Sequence, residues 1–469
     1  MQNTQDDIQY FEAQKRIYPK SIKGKFRTLK WIIMALALFV YYGLPWVRYD
    51  RGAHAPDQAV LIDMIDGRGY FFFIEIWPQE VYYLTAILIV AAVGLFLITS
   101  LMGRVWCGYF CFQTIWTDLF ITVEKLIQGD RNQRIRLDKA PLSFDKLWRK
   151  GLTHFLWICI GVMTGGAWVF YFNDAPTLME QILHLDVPWS VGGWIIVLTG
   201  STYLMAGYAR EQVCTYMCPY ARFQSAMYDK DTLVIGYNEN IAEPRGHYKK
   251  GAPLAERGAC IDCHACVQVC PVGIDIRDGQ QMECISCGLC IDACDNIMQK
   301  VGFDKKLIQY DRLENFETKT PSESFRFKNF IRPRTFYYLG ILVLVIGISL
   351  YNLANRAETE LHVLHDRNPL FVRLSNGDIR NGYDIKILNK THAHRDYTLT
   401  IEGIDYNAIR MLAYGQPVEN IHVYADSIGH FRVFITASEQ KNMRHKITIT
   451  LQDQTDQAEI IEKTIFVSG

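Results

Sequence analysis

Cys260-Ile261-Asp262-Cys263-His264-Ala265-Cys266-Val267-Gln268-Val269-Cys270-Pro271, followed after a short link by Cys284-Ile285-Ser286-Cys287-Gly288-Leu289-Cys290-Ile291-Asp292-Ala293-Cys294, decides how the rest of the chain is read. Eight of the thirteen cysteines lie here, in two copies of Cys-x-x-Cys-x-x-Cys-x-x-x-Cys. Three cysteines two residues apart can wrap three corners of a cubane iron–sulfur cluster, while the fourth is carried away and reaches the other cluster. The spacing therefore assigns one [4Fe–4S] cluster to Cys260, Cys263, Cys266 and Cys294, and a second to Cys284, Cys287, Cys290 and Cys270. Structural zinc modules place two Cys-x-x-Cys pairs well apart, so this density of cysteine favours iron. A disulfide framework conflicts with the reducing side of the membrane expected below for this stretch. His264 is read as a surface residue between ligands, since the cysteines already fill the coordination. In the second run Asp295 stands where the first has Pro271, so the turn there is expected to differ.

The chain around this stretch is 469 residues long, room for two to four domains. Its formal net charge is zero, which gives nucleic-acid binding no electrostatic support. Aromatic residues make up 13 %, with ten tryptophans, as in membrane proteins with interfacial anchors. No cleavable signal peptide is expected, because the polar, basic start is followed by an apolar run without a small-residue cleavage site.

In chain order, residues 1–28 are a polar cytoplasmic leader with Lys15, Arg16, Lys20, Lys23, Lys25 and Arg27, expected to be disordered or to lie on the membrane surface. Residues 29–228 read as a four-helix transmembrane module, with spans near Leu29–Val47, Val81–Met102, Leu152–Phe172 and Val187–Tyr208. Residues 229–334 form the bacterial-type 2[4Fe–4S] ferredoxin domain, and 335–353 a fifth transmembrane helix. Residues 354–469 alternate apolar and polar side chains between Asn/Gly/Asp turns, about seven short strands, and read as an immunoglobulin-like β-sandwich without cysteine. The fold class is thus a multidomain membrane protein with five transmembrane α-helices, a dicluster ferredoxin and a C-terminal sandwich.

Lys and Arg set the orientation. The segment Gly103–Gly151 carries nine of them and Asn173–Asp186 none. The N-terminus and the clusters are then cytoplasmic, the C-terminal domain is periplasmic, and the chain is a multi-pass protein of a bacterial cytoplasmic (inner) membrane. His392 and His394, in a turn of the sandwich, are read as a solvated loop, and Cys159, alone in the third span, as packing.

The helical module contains an internal repeat. After the second span comes Val105-Trp106-Cys107-Gly108-Tyr109-Phe110-Cys111, and after the fourth Gln212-Val213-Cys214-Thr215-Tyr216-Met217-Cys218-Pro219. On a helix, residues i and i+4 share a face, so each pair can offer two thiolates to one soft metal, either Cu(I) or an iron–sulfur cluster. Arg104 and Arg210 beside the pairs are expected to favour thiolates. Phe112 follows Cys111 where Pro219 follows Cys218, a break in the symmetry of the two pairs.

Several stretches resemble the cytochrome c oxidase accessory protein family CcoG (FixG/RdxA). They are Cys260-Ile261-Asp262-Cys263 through Cys270-Pro271-Val272-Gly273-Ile274-Asp275-Ile276-Arg277-Asp278-Gly279, Glu283-Cys284-Ile285 and Cys290-Ile291-Asp292-Ala293-Cys294-Asp295, with Glu243-Pro244-Arg245-Gly246 ahead of them and Asp366-Arg367-Asn368-Pro369-Leu370-Phe371-Val372 and Ile379-Arg380-Asn381-Gly382-Tyr383 near the C-terminus. The resemblance implies a membrane-bound iron–sulfur cupric reductase that turns Cu(II) into Cu(I) in support of cbb-type cytochrome c oxidase assembly. Copper is then a substrate, Cys107, Cys111, Cys214 and Cys218 its side of the site, and copper chaperones or oxidase assembly proteins its partners. The electron donor is left open. Two alternatives stand beside it: a quinol-linked membrane ferredoxin subunit for electron transfer, and a copper-binding assembly factor without turnover.

Overall fold

The structure is a computed structural model describing residues 16–52, 55–247, 258–318, 330–439 and 444–468. It falls into two compact units, one of Met1–Val47 with Gln58–Ser349, the other of Arg48–Asp57 with Leu350–Gly469.

The first unit holds the helices. Five are long and apolar enough to cross a membrane: Lys25–Trp46, Pro78–Met102, Phe144–Val169, Trp189–Ala209 and Pro333–Ala354. The third starts well before the apolar run because Ser143 caps it, accepting from the Lys146 amide, and an Arg149–Asp145 pair lines its first polar turns. It packs closely on the fourth span: a Cβ on Gly165 would lie 2.9 Å from the Ile195 carbonyl oxygen. The fourth is α-helical over Trp189–Thr202 and then widens into π-helix over Tyr203–Ala209, with another π turn at Val213–Met217. Such widening is frequent at functional sites.

Two segments that the sequence pattern leaves as loops are structured. The stretch before the second span carries a three-stranded antiparallel sheet, Val60–Asp63, Arg68–Phe71 and Ile74–Ile76, whose strands are too short to show alternation. The basic segment after it folds into Val105–Tyr109, Phe112–Gln128 and Arg131–Lys139 helices. Phe120 of the middle helix stacks on Trp157 of the third span, with ring centroids 5.1 Å apart. Glu124 is buried between Arg134 (2.9 Å) and Arg210 (2.6 Å).

The described part of the leader is packed, contrary to the expectation of disorder. Its polar backbone finds partners far along the chain. Lys20 N donates to the Gln268 carbonyl at 2.7 Å, and Ser21 to Asp130 through both its amide and its hydroxyl. The amides of Phe26 and Arg27 donate to the carboxylate of Asp292. Residues 1–15 lie outside the described residues.

The cysteine-rich domain is framed by an antiparallel pair, Leu233–Tyr237 with Ile308–Arg312. Its short Ala265–Val269 helix and its longer Leu289–Val301 helix enclose Ile235, Ile276, Ile291, Met298, Leu307 and Ile308. The missing proline after Cys294 has a physical reason here. Cys270 caps a finished helix in extended conformation, so Pro271 fits. Cys294 sits inside a helix that continues to Val301, where a proline would break the ladder.

The second unit is the sandwich, all antiparallel. One sheet runs in the order Gln416–Pro417, Ala408–Ala413, Ser427–Ala437, Ile379–Asn389 and Thr359–His365, with Val372–Arg373 also on Ile379–Asn389. The other runs Ile421–Val423, Arg395–Glu402, Arg444–Asp453 and Glu459–Val467. Ile385, Ile387, Val433 and Ile435 of the first share one core with Ile447, Ile449 and Leu451 of the second. The strands beyond the seven expected are pieces of two or three residues, below the reach of a period-two pattern. His392 Nδ1 faces Asp426 at 2.9 Å, and His394 Nδ1 accepts from the Ala425 amide, so both rings tie down their turn.

Candidate redox and metal-binding site

Both cysteine runs curl the same way. The residues on either side of the second cysteine are left-handed in each: Asp262 (φ 53°) and His264 (φ 55°), then Ser286 (φ 53°) and Gly288 (φ 75°). Of these four only the glycine adopts that region without steric cost. Cys260, Cys263, Cys266 and Cys294 line one cavity, together with Arg277 and Met298. Burial lifts the Cys294 thiol far above its ordinary range, and the neighbouring Cys266, Cys260 and Cys263 lift it further. Burial likewise pushes Cys270 up to about 11, with Cys287 beside it, and Cys284 up to about 12, with Cys287 and Cys270 beside it. Proximity thus sorts the eight thiols into two sets, Cys260, Cys263, Cys266 and Cys294, and Cys270, Cys284, Cys287 and Cys290. Buried thiols of this kind hold their protons at neutral pH unless a soft metal displaces them. Two groups of four such sulfurs fit two cubane clusters.

Arg277 ties the first run in place. It is buried, and its guanidinium donates to Asp275 (Nε, 2.8 Å), to Asp262 and to His264 Nδ1 (2.8 Å). The His264 ring is about half exposed.

The two Cys-x-x-x-Cys pairs come together, but not as i, i+4 neighbours on a continuous helix. Cys107 lies on the short Val105–Tyr109 turn, and Cys111 is the extended N-cap of the Phe112–Gln128 helix. Cys214 lies on the Val213–Met217 π turn, and Cys218 is the extended N-cap of the Pro219–Met227 helix. Phe112 and Pro219 hold the same first helical position, where proline is well tolerated, so their difference does not disturb the symmetry. Burial pushes the Cys214 thiol up to about 12, with Cys111, Cys107 and Cys218 adding to it and Arg104 opposing. Burial also raises Cys111, again with Cys107 and Cys218 beside it. The four thiols are therefore electrostatic neighbours, while no three of their sulfurs lie within 4.8 Å of one another.

Of the two arginines expected to favour thiolates, Arg104 and Arg210, only Arg104 bears on the quartet, and the two are not repeat equivalents. Gly103 (φ 58°) and Arg210 (φ 38°) are the equivalent left-handed residues, so Arg104 matches Glu211. Arg210 is turned away, paired with Glu124 and bonded to the Gly207 carbonyl. Arg104 stays with the thiols. It is buried, donates to the Met282 carbonyl, and its Nε has no partner among the described residues. Its charge bears on both Cys214 and Cys284.

The thiol quartet abuts the second cluster loop. A Cβ on Gly108 would lie 2.5 Å from the Ile285 carbonyl oxygen and 3.1 Å from Cys287 Cα, an approach only glycine permits. Cys107 packs in one apolar cluster with Ile285, Cys287 and Leu289. The Tyr109 hydroxyl donates to the Cys287 carbonyl at 2.9 Å.

Sequence reasoning missed three polar residues here. Gln224, fully buried, donates to Cys107 Sγ at 3.5 Å. Glu211 and Gln113 line a cleft with Cys214, Asp118 and Ile285. Glu211 also lines a polar cavity with Arg210, His154, Lys150 and Asp138. Only the repeat register, which sets Glu211 opposite Arg104, hinted at any of them.

Three families match the chain: a 4Fe-4S dicluster domain over residues 209–313, a 4Fe-4S binding domain over 84–128, and the IG-like fold at the C-terminal of FixG over 349–469. The nitrogen fixation protein FixG of Rhizobium meliloti (strain 1021) is 48% identical over 91% of this chain and 87% of its own length. Protein RdxB of Cereibacter sphaeroides is 46% identical over 92% of this chain and 90% of its own length. Protein RdxA of the same organism is 44% identical over 90% and 89%. Among solved structures, the FixG-related protein from Vibrio parahaemolyticus is 21% identical, covering 24% of this chain and 97% of that one, with a TM-score of 0.21.

Proposed function

The chain belongs to the FixG/RdxA family and is a membrane iron–sulfur oxidoreductase, and within that class we propose that it reduces Cu(II) to Cu(I) in support of cbb-type oxidase assembly. Bound clusters supply one-electron transfer. Cys260, Cys263, Cys266 and Cys294 hold one, and Cys284, Cys287, Cys290 and Cys270 the other. Cys107, Cys111, Cys214 and Cys218 hold copper, and their soft sulfur favours the Cu(I) product. A one-electron reduction of a metal ion needs no acid–base group. The reading is carried by one contact: the Gly108–Tyr109 turn lies directly on the Ile285–Cys287 loop, so the thiol quartet and the second ligand set share a wall. In this reading the clusters are cytoplasmic and the sandwich periplasmic, which the basic segments Gly103–Gly151 and the leader support. Copper chaperones or oxidase assembly proteins are the recipients.

The test is anaerobic. Protein reduced with dithionite and freed of excess reductant is given Cu(II), and Cu(I) is trapped with a chelator while the cluster absorption is followed. Cu(I) formation matched by cluster oxidation supports the reading. Formation no greater than in a Cys260→Ser/Cys284→Ser variant rejects it. Copper that binds but stays Cu(II) points to an assembly factor without turnover.

A second reading of the quartet is favoured by the 4Fe-4S binding domain match that spans Cys107 and Cys111: a further iron–sulfur site in place of copper. Iron analysis separates the two. Cys107→Ser/Cys214→Ser keeps the full iron content if the quartet takes copper, and loses part of it if the quartet holds a cluster.

A further inference from the structure

On another side of the thiol quartet lies an apolar cavity of about 590 Å³. It is bounded by the first, third and fourth spans and the Phe112–Gln128 helix, and its walls include Tyr41, Trp116, Trp168, Phe110 and Phe112. That volume and lining suit a small aromatic ligand. The cavity lies among membrane-spanning segments, and Phe110 and Phe112, at 48% and 69% exposed, leave its mouth open. Both flank Cys111, so one wall of the cavity is the segment that carries a thiol of the quartet.

Its inner end is built and polar. Gln113 is only 5% exposed and lines both this cavity and the cleft that contains Cys214. Its amide nitrogen donates to the carbonyls of Met205 (2.9 Å) and Arg210 (3.2 Å), which fixes the group. Its amide oxygen accepts nothing from any described residue. Nearby, Trp116 Nε1 donates to Thr164 Oγ1 at 2.7 Å and the Tyr41 hydroxyl to the Thr164 carbonyl at 2.8 Å, so those groups are satisfied. An acyl chain has no use for a fixed amide acceptor between aromatic walls. A ring bearing a hydroxyl does.

We propose that this cavity binds the ring of a membrane quinol, with a ring hydroxyl donating to Gln113, and that quinol is a second electron donor to the copper side of the site, beside the clusters. The inference rests on the reading of Cys107, Cys111, Cys214 and Cys218 as that side. The step balances as one quinol and two Cu(II) giving one quinone, two Cu(I) and two protons. Two O–H bonds break, the ring becomes a quinone, and each copper gains one electron. The protons leave toward water in the polar cavity beyond Glu211, a residue that lines both the cleft with Gln113 and that cavity.

The full chain in lipid nanodiscs is titrated with a short-tailed benzoquinone, read by quenching of tryptophan fluorescence, since Trp116 and Trp168 face the cavity. Saturable quenching is expected, weakened about tenfold or more when the space is filled by Ser201→Phe or, as an independent variant, Ala37→Phe. Unchanged iron content in either variant shows that the chain has folded. The matching benzoquinol is then supplied as sole reductant with Cu(II), and Cu(I) is expected from the wild type and not from the variants. Quenching that does not saturate, is as strong in both folded variants as in the wild type, or is displaced equally by a plain alkyl detergent overturns the proposal. The wild type reduced with dithionite is the separating control. Cu(I) from dithionite but not from quinol sinks the donor assignment alone, whereas no Cu(I) from either sinks the copper reading beneath it.

Discussion

The hydroxyl of Tyr109 donates to the carbonyl oxygen of Cys287 across 2.9 Å, so the turn bearing Cys107 and the loop bearing Cys287 form one hydrogen-bonded unit. Gly108, the residue between Cys107 and Tyr109, presses on the same loop at Ile285. Replacing Gly108 with alanine forces these backbones apart and costs about 1–3 kcal/mol. Tyr109→Phe leaves the Cys287 carbonyl unpaired, at about 1–3 kcal/mol. Both variants are expected to slow Cu(I) formation in stopped-flow assays while retaining iron. A rate unchanged in Gly108→Ala would show that the contact does not serve electron transfer.

The quartet itself is tested one thiol at a time. Cys107→Ser and Cys214→Ser are each expected to lower Cu(I) formation by about tenfold or more, as loss of a soft donor should. Gln224→Leu removes only the hydrogen bond to Cys107 Sγ and should cost less, with its effect absent in the Cys107→Ser background. Equal losses in both backgrounds would mean that Gln224 acts elsewhere.

Arg104 is the cation nearest in effect to both sulfur groups, bearing on Cys214 and on Cys284. Arg104→Met removes a buried positive charge and disfavours the reduced, more negative state. In a potentiometric titration followed by electron paramagnetic resonance, one of the two cluster signals should move to more negative potential and the other stay. Two equal shifts, or none, would contradict the placement of Arg104 beside one loop.

Glu124 anchors the helix that begins at Cys111. Burial alone would raise its carboxyl, but the ion pairs with Arg210 and Arg134 outweigh burial and hold it below its ordinary 4.5. A depressed carboxylate stabilises the fold above that unfolded value and loses the contribution as pH falls through its lower folded value. Glu124→Gln leaves two buried arginines short of a counter-charge, at about 3–5 kcal/mol. At pH 7 the variant should melt well below the wild type, and the gap should close as both are taken below about pH 4.5. A gap that persists in acid would assign the loss to packing.

Much of the architecture is legible because its signals are local. The apolar runs announce the spans, alternation announces the sandwich, and the cysteine spacing announces a dicluster domain. What was not legible depends on partners far away in sequence. Nothing near Lys20 or Phe26 marks them for docking, since their acceptors are Gln268 and Asp292. The gathering of Cys107 and Cys111 with Cys214 and Cys218 could be argued from the repeat. The broken turns that achieve it could not, because a cysteine at an extended N-cap looks in sequence like one inside a helix. Gln113 has no local signature either, because its place between two cavities is a product of packing.

The leader's attachment has a consequence for biogenesis. Phe26 and Arg27 reach the carboxylate of Asp292, a partner 266 and 265 positions away, and Asn296 reaches back to the Lys23 carbonyl. A ribosome emits the strap long before its seat exists. By the time Asp292 appears, the four preceding apolar helices and seven of the eight cysteines of the two runs have been synthesised. The strap therefore closes over a domain whose ligands are nearly complete, so its docking is a late event that a pulse-labelled protease-protection experiment on the ribosome can time.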